Sequence, residues 1–302
     1  MEHYFVLYNP LSGNGRGKTE VYQLDNFFAG KKLTYQDIRQ IEDMPAYFDS
    51  ISPDDGIIIS GGDGTLCRFI NSLKGQVPAR EILFFATGSG NDFLNDIGGT
   101  VGGAPIRLNE YIENLPVLHV HGQDKFFING VGFGLDGYVC EEADKARATT
   151  DKPVNYTGIA LKGLMYGFHR TKATIRIDGM EKDYNYVWLA PTMNGRYIGG
   201  GMMIAPQQDR LNPEGTVSLM VMRCKSKLRA LSLFPRIFKG THVKATDVVD
   251  IFHGHDIYVK FDRPTAMQID GETILNVSEY AVTAPKLNGR KKPVEAVEAV
   301  EV

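Results

Sequence analysis

Residues 61–65 form a glycine-rich stretch that carries the residue types best suited to chemistry on phosphates. Gly61, Gly62, Asp63, Gly64 and Thr65 follow three β-branched apolar residues directly, and a run with helical spacing comes next. A strand that passes through glycines into a helix start presents unpaired backbone N–H groups to an anion, and glycines let a phosphate approach the main chain. At the tip, Asp63 could face a metal–phosphate complex or cap the following helix. The stretch predicts a site for nucleotide phosphates.

Two further loops have the same position between an apolar strand and a helix. Residues 9–18 follow a predicted strand at residues 4–8, and residues 87–93 follow another at residues 81–86. Alone, the first of these loops could equally be a polar turn, and it lacks the residue order of a Walker loop. The repeated order of strand, glycine loop and helix predicts a mainly parallel α/β sheet, with its ligand beyond the carboxyl ends of the strands. All three loops are expected to meet at one site.

The composition excludes several classes of protein. The 302 residues are 43% hydrophobic and 23% charged, with a formal net charge of -3, so no basic surplus indicates a nucleic-acid partner. The 3 cysteines are too far apart for a metal or disulfide framework, which is typical of a reducing cytoplasm. No apolar run approaches the roughly 18 residues that a membrane span needs. We expect a cytoplasmic protein.

The second half of the chain has a different pattern. After Pro116 the alternation of helices and strands ends, and short alternating strands dominate. They are predicted at residues 117–121, 125–131, 174–178, 181–190, 215–223, 248–253, 256–261 and 266–270. This density predicts an antiparallel sandwich with two helical insertions. We therefore expect an α/β domain over residues 1–116, a β-rich domain over 117–285, and a flexible tail over 286–302 that could pack back on the first domain.

Three motifs together resemble those of the diacylglycerol kinase catalytic domain family, which includes sphingosine and ceramide kinases and small bacterial lipid kinases. They are Asn9-Pro10-x-Ser12-Gly13, Gly61-Gly62-Asp63-Gly64-Thr65 and Gly88-Ser89-Gly90-Asn91-Asp92-Phe93. The middle motif also occurs in NAD kinases and 6-phosphofructokinases, whereas the first and third are typical of lipid kinases. The resemblance continues through Asn129-Gly130-x-Gly132-Phe133-Gly134-x-Asp136 to Asp270-Gly271-Glu272, so it covers nearly the whole chain.

The resemblance implies a fold and an activity. The fold is an α/β N-terminal domain with a mainly parallel sheet and flanking helices, like that of NAD and diacylglycerol kinases, plus a mainly antiparallel β-sandwich C-terminal domain. The activity is ATP-dependent transfer of the γ-phosphate to a lipid hydroxyl, with diacylglycerol as the default acceptor and a role in phospholipid biosynthesis. ATP and Mg²⁺ would be required, and ATP would lie between the nucleotide domain and the lipid-substrate domain.

The resemblance also assigns individual residues. The implied ATP-binding residues are Asn9, Pro10, Ser12, Gly13, Gly61, Gly62, Asp63, Gly64, Thr65, Gly88, Ser89, Gly90, Asn91 and Asp92. Glu272 is the implied general base, with help from Asp270, while Asp63 acts on the Mg²⁺–phosphate group. Two carboxylates one residue apart at the end of a strand are expected to point roughly the same way.

One turn departs from the family pattern. The family has an Asp-Asp-Gly turn that holds a structural magnesium, whereas residues 212–215 have Pro213 in place of the first aspartate. Glu214 keeps a carboxylate at this turn. Glu214 and the backbone oxygens of Leu211 and Thr216 therefore form the predicted metal site, although Mg²⁺ demands near-ideal octahedral geometry.

A lipid substrate would require contact with a membrane surface. Residues 225–244 mix basic and apolar side chains at near-helical spacing, which suits either an anionic membrane surface or an ordinary packed helix. Residues 156–168 could line a lipid access route or pack in the core. We expect a lipid substrate, transient contact with the inner membrane face and no nucleic-acid partner. The sequence leaves open whether the protein forms a homodimer.

Two alternative functions remain at this level. A soluble-substrate kinase, such as an NAD kinase, would turn over without lipid or detergent. A non-catalytic nucleotide- or lipid-binding relative would bind ATP without transferring phosphate.

Overall fold

The computed structural model describes residues 1–149 and 154–287. The chain divides into two compact units, Met1–Asn114 and a second that begins at Leu115. In the described part of the chain, no helix has the length and apolar character to cross a membrane. Most of the predicted tail, residues 288–302, lies outside the described residues.

The first unit is built on a five-stranded sheet. Its strands are β1 (His3–Tyr8), β2 (Lys32–Asp37), β3 (Gly56–Gly61), β4 (Ile82–Ala86) and β5 (Ile106–Arg107). They are ordered β2-β1-β3-β4-β5, with the first four parallel and β5 antiparallel to β4. β3 is buried along its whole length, as expected for a continuous apolar run at the centre of a parallel sheet. This sheet confirms the predicted α/β fold of the first half.

Short helices flank this sheet. They are α1 (Ser12–Gly15), α2 (Gly17–Glu20), α3 (Leu24–Phe27), α4 (Met44–Asp49), α5 (Asp63–Ser72), α6 (Asp92–Asp96) and α7 (Asn109–Ile112), with 3-10 turns at Val21–Gln23 and Ile38–Gln40. Residues 17–27 form a series of short helical turns, in which Val21 and Leu24 are fully buried. Asp43 caps α4 by accepting from Ala46 N at 3.3 Å.

The second unit is a ten-stranded antiparallel sheet. Its strands are β6 (Val117–Val120), β7 (Gln123–Phe126), β8 (Gly130–Phe133), β9 (Thr171–Ile177), β10 (Met180–Leu189), β11 (Thr192–Met193), β14 (Val217–Arg223), β15 (Val249–Gly254), β16 (Asp256–Ile269) and β17 (Glu272–Thr283); β12 (Tyr197–Ile198) and β13 (Met202–Met203) form a separate pair. The order is β7-β6-β17-β16-β8-β11-β14-β10-β9, with β15 beside β14. The first half of β16 pairs with β9 and its second half with β8, so the sheet closes on itself. The predicted antiparallel β domain is confirmed.

Two helical insertions pack on this sheet. The first contains α8 (Leu135–Arg147), α9 (Tyr156–Lys162) and a π-helical turn at Gly163–Gly167; the second contains α10 (Lys227–Phe238) and a 3-10 turn at Thr241–Lys244. Leu164, Trp188 and Leu233 belong to one buried cluster between the insertions and the sheet. Most apolar residues of both segments therefore serve the core.

Three strand predictions were wrong. The strands expected at residues 256–261 and 266–270 are the single strand β16, because a register shift between Lys260 and Thr265 accommodates Pro264 without ending the strand. β17 was not predicted, since Asn276, with a φ of 59°, interrupts its alternating pattern. The strand expected at residues 125–131 is divided between two strands: a turn at His121 and Gly122, both with positive φ, lets β7 run from Gln123 to Phe126, and β8 begins only at Gly130.

Candidate active site

The three glycine loops of the first unit converge. They follow β1, β3 and β4, which are parallel neighbours, so the carboxyl ends of the three strands lie at one edge. Asn9 Nδ2 donates to Thr65 Oγ1 at 2.9 Å, which joins the first loop to the second. Ser12 Oγ lies 2.8 Å from Thr87 Oγ1, which joins the first loop to the third. The sequence prediction of a common site is consistent with this geometry.

Glycine is required where these loops touch. Gly13 has a φ of +57°, and a Cβ added there would lie 2.5 Å from the carbonyl oxygen of Thr87. A Cβ on Gly88 would lie 2.4 Å from the Cα of Gly62. Any larger side chain would therefore force the three loops apart.

Asp63 fastens the second loop to the third. It is the first residue of α5, yet Gly62 is the N-cap of that helix, so Asp63 does not cap the helix that follows it. Its two carboxylate oxygens accept from the backbone N–H groups of Asp92 at 3.0 Å and Phe93 at 2.9 Å. Asp63 thus caps the neighbouring helix α6, which neither interpretation from the sequence had anticipated.

The start of α5 remains open to a ligand. The N–H groups of its first turn have no acceptor within the helix, and the helix dipole favours negative charge there. A Cβ on Gly64 would meet no atom of the described residues within 4 Å, which leaves space beside the loop. The other predicted ATP-binding residues of the three motifs, Pro10, Ser89, Gly90 and Asn91, lie in the same loops.

The second unit carries the acidic turn. Asp270 and Gly271, with φ values of 45° and 92°, form the two-residue turn between β16 and β17, and Glu272 begins β17. Asp270 is 4% exposed, and its carboxylate accepts from three backbone N–H groups, those of residues 128–130, at 2.7, 2.9 and 3.0 Å. Asp270 and Glu272 do not share the end of one strand, as the sequence had suggested, because a turn separates them. Asp270 braces the segment that leads into β8, while Glu272 is partly exposed.

Gln268 and Asp136 support this turn and were not predicted to do so. Gln268 Oε1 accepts from Gly271 N at 2.7 Å, and its Nε2 donates to Asp136 Oδ2 at 2.8 Å. Burial raises the pKa of the Asp136 carboxyl, an effect that the hydrogen bond from Gln268 opposes. The chain of contacts runs from α8 to the acidic turn. Its only signal in the sequence is that Gln268 lies two residues before Asp270, near the end of the same apolar run.

Arg210 contacts the segment that Asp270 braces. Its guanidinium donates to the carbonyl oxygen of Ile128 at 3.2 Å and to Asn129 Oδ1 at 3.1 Å. Asn194 Nδ2 donates to the same Ile128 carbonyl at 2.9 Å. Arg210 lies in an irregular loop, where no periodicity marks it. A carboxylate, a guanidinium and an amide therefore fix the backbone ahead of β8.

The residues at the predicted structural magnesium site do not fit a metal ion. The Thr216 carbonyl already accepts from Gln208 Nε2 and Asn212 Nδ2, each at 2.9 Å, which uses both of its lone pairs. Asn212 Nδ2 also donates to Asp209 O at 2.8 Å, and Thr216 N donates back to Asn212 Oδ1 at 3.0 Å. Amide donors thus take the place that a cation would fill between these carbonyls. Glu214 is exposed, and the described residues contain no group of three or more His, Cys, Asp or Glu that could hold a metal.

Comparisons with known proteins agree with this architecture. Residues 3–115 match the family model "Diacylglycerol kinase catalytic domain", and residues 129–287 match "YegS C-terminal NAD kinase beta sandwich-like domain". A protein named "Diacylglycerol kinase" from Mycobacterium tuberculosis is 27% identical over 64% of this chain. That alignment covers 63% of the relative, less than two thirds of its length.

Two other proteins are similar over more of their length. "Putative lipid kinase YtlR" from Bacillus subtilis is 23% identical over 90% of this chain and 94% of the relative. The crystal structure described as "a putative diacylglycerol kinase from Bacillus anthracis str. Sterne" superposes with a TM-score of 0.67, at 19% identity over 94% of this chain and 93% of that one. The last comparison supports the fold. Because the two family models match successive parts of the chain, this protein belongs to the diacylglycerol kinase catalytic domain family and carries a YegS-type C-terminal domain.

Proposed function

We propose that this protein is an ATP-dependent lipid kinase, which transfers the γ-phosphate of ATP to a lipid hydroxyl. The observation that carries the proposal is the convergence of three glycine loops, held in part by two hydrogen bonds that the Asp63 carboxylate accepts from the start of α6. Such an arrangement presents several backbone N–H groups to one polyphosphate. Family membership and the names of the similar proteins support the lipid as acceptor.

The glycine loops would bind and orient the phosphates of ATP. Phosphoryl transfer depends mainly on positioning and on neutralising charge, which a rigid set of backbone donors can supply. Mg²⁺ that arrives with ATP would neutralise charge on the phosphates, and we assign Asp63 as the carboxylate that would hold it. The backbone N–H groups of Asp92 and Phe93 hold the Asp63 carboxylate at the start of α6, beside the loops that would bind the phosphates.

Glu272 would act as the general base for the lipid hydroxyl. It is partly exposed at the start of β17, whereas Asp270 is buried and accepts three backbone N–H groups. We therefore propose that Glu272 accepts the proton of the lipid hydroxyl, and that Asp270 and Gln268 position the turn that carries Glu272. Diacylglycerol is the proposed acceptor, which would place the enzyme in phospholipid biosynthesis at the cytoplasmic membrane face.

The test is transfer of label from γ-labelled ATP, with Mg²⁺, to a panel of lipids in mixed micelles. The panel should contain diacylglycerol, phosphatidylglycerol, a sphingoid base and ceramide, with NAD in a separate lipid-free reaction. We expect label in diacylglycerol above all other acceptors. Label in NAD without lipid would make the protein a soluble-substrate kinase, and ATP binding without label in any acceptor would make it a non-catalytic relative.

A further inference from the structure

Three apolar side chains on the second unit are strongly exposed. Tyr166 is 75% exposed, Leu228 is 73% exposed and Tyr186 is 41% exposed. They come from three separate segments, namely the π-helical turn, the start of α10 and strand β10. A single exposed apolar residue is common on protein surfaces, so their meaning depends on whether they lie together.

Hydrogen bonds and ring contacts join the three segments. Lys227 Nζ donates to the carbonyl oxygen of Met165 at 2.6 Å, which brings the start of α10 to the turn that carries Tyr166. Arg170 donates to the carbonyl oxygen of Lys225, and both cations lie over the Tyr186 ring, at 5.5 and 5.2 Å from its centre. We name this set the aromatic–basic patch: Tyr166, Arg170, Tyr186, Lys225, Lys227 and Leu228.

The backbone is bent to expose Tyr186. Strict alternation along β10 would turn Tyr186 inward together with Tyr184, which is 4% exposed. One extra residue enters the pairing with β9 between Tyr184 and Val187, so Val187 takes the inward position and Tyr186 faces outward. Tyr186 has a φ of 60°, a left-handed conformation that is rare for a bulky side chain. Such strain is typical of residues held for a function.

The cations of the patch are available to an external anion. Within residues 1–149 and 154–287, Arg170, Lys225 and Lys227 form no ion pair with a carboxylate, in contrast to Arg229, which pairs with Asp247 at 3.0 Å. The patch is thus locally basic on a chain whose formal net charge is -3. A cluster of cations beside exposed tyrosine and leucine side chains is complementary to an anionic bilayer, where the cations meet headgroups and the apolar groups enter the interface.

We propose that the aromatic–basic patch docks the protein on anionic lipid bilayers. The biological role of this docking rests on the proposed function, since a kinase that phosphorylates a bilayer lipid must reach the bilayer. For residues 225–244 the sequence left two interpretations open, a membrane surface and a packed helix, and each applies to a part of the segment. Leu233, Phe234 and Ile237 of α10 are buried, so only its start contributes, together with the turn before β9 and the bulge of β10.

Vesicle flotation with purified protein, without ATP, tests the docking. The vesicles contain phosphatidylcholine alone or with about 30 mol% phosphatidylglycerol, and we expect the wild type to float mainly with the anionic ones. The variant K225Q/K227Q should bind them about 30-fold more weakly, because each lost cation costs about fivefold near such a surface. The charge-matched control K32Q/K74Q, on the first unit, should bind as the wild type does.

A second pair of variants tests the apolar part of the patch. Y166A/L228A should weaken binding to anionic vesicles about tenfold, since its side chains enter the interface. M180A is the control for an exposed apolar side chain. Met180 is 77% exposed at the start of β10 and does not belong to the aromatic–basic patch. Circular dichroism and thermal melting confirm that each variant is folded.

The outcomes separate this inference from the proposed function. Equal binding to neutral and anionic vesicles, or wild-type binding by K225Q/K227Q, would overturn the docking proposal even if the enzyme phosphorylates lipid in micelles. Binding to heparin but not to vesicles would likewise overturn it, in favour of a general polyanion site. Patch-dependent vesicle binding with no label in any lipid would keep the docking proposal and reject the kinase proposal. We expect K225Q/K227Q to phosphorylate lipid in detergent micelles at the wild-type rate.

Discussion

The glycine loops of the first unit and the acidic turn of the second unit are held by different means. The loops meet because three parallel strands end at the same edge, and glycines such as Gly13 and Gly88 let backbone touch backbone. The acidic turn is held by side chains from distant segments, with Asp270 on residues 128–130 and Gln268 on Gly271 and Asp136. A site made of backbone is marked in the sequence by its glycines, whereas a site made of side-chain braces has no such mark.

The largest effect on activity is expected at Glu272, the side chain to which we assign the chemical step. E272Q should lower kcat about 100-fold or more, because a general base typically contributes that much, while leaving the urea midpoint unchanged. Lipid phosphorylation and urea unfolding are the two measurements. The control is E214Q, at an exposed carboxylate that the structure gives no role. A kcat within about threefold of the wild type would remove Glu272 from the mechanism.

D270N should instead act mainly on stability. Asparagine tolerates the positive φ of this position but provides one acceptor in place of two, so a buried backbone donor loses its partner, at a cost of about 3 kcal/mol. The control is D178N, at another hairpin turn with positive φ. There an exposed carboxylate accepts the N–H groups of His255 and Asp256 on one oxygen, which an amide can replace. Equal urea midpoints for D270N and D178N would contradict the bracing role.

The loop around Asn212 tests whether amides replace a metal. N212A removes the hydrogen bonds to Asp209 and Thr216 and should cost about 2 kcal/mol, seen as a lower melting temperature. EDTA should leave the melting temperature of the wild type unchanged in the absence of nucleotide. A fall in melting temperature with EDTA, reversed by Mg²⁺, would restore the predicted magnesium site.

The smallest effect, and one with a defined sign, is expected for D136N. Burial raises the pKa of Asp136 above its ordinary 3.8, so the folded state favours the neutral carboxyl and loses stability as the pH rises from about that value through the folded pKa. Asparagine keeps an acceptor for Gln268 and cannot ionise. The variant should therefore lose less stability than the wild type as the pH rises from acid to neutral. Parallel stability curves for the two proteins would show that Asp136 does not carry this penalty.

The difference between the backbone-built loops and the side-chain-braced turn also explains which parts of the site could be predicted from the sequence. Gly61, Asp63 and the two partner loops could be found because strand, glycine loop and helix are local patterns that repeat. The partners of Asp63 could not, since Asp92 and Phe93 lie about thirty residues away and the bonds depend on the order of strands in the sheet. In the second unit Gln268 and Arg210 contact segments more than eighty residues distant, which no local pattern reports.

The metal prediction failed for a related reason. The sequence showed that Glu214 had kept a carboxylate, but it could not show that the amides of Gln208 and Asn212 occupy the Thr216 carbonyl. The strand register failed locally at Pro264 and Asn276, where irregular backbone breaks the alternation on which strand prediction depends.

The central claim is that Asp63 assembles the nucleotide site while Glu272 serves the chemical step. Titration calorimetry of ATP binding to D63N and E272Q tests it most directly, with D54N as an exposed control in the first unit. D63N loses an acceptor for the start of α6 and should bind ATP at least about tenfold more weakly, whereas E272Q and D54N should bind it as the wild type does. Wild-type ATP affinity in D63N would contradict the account.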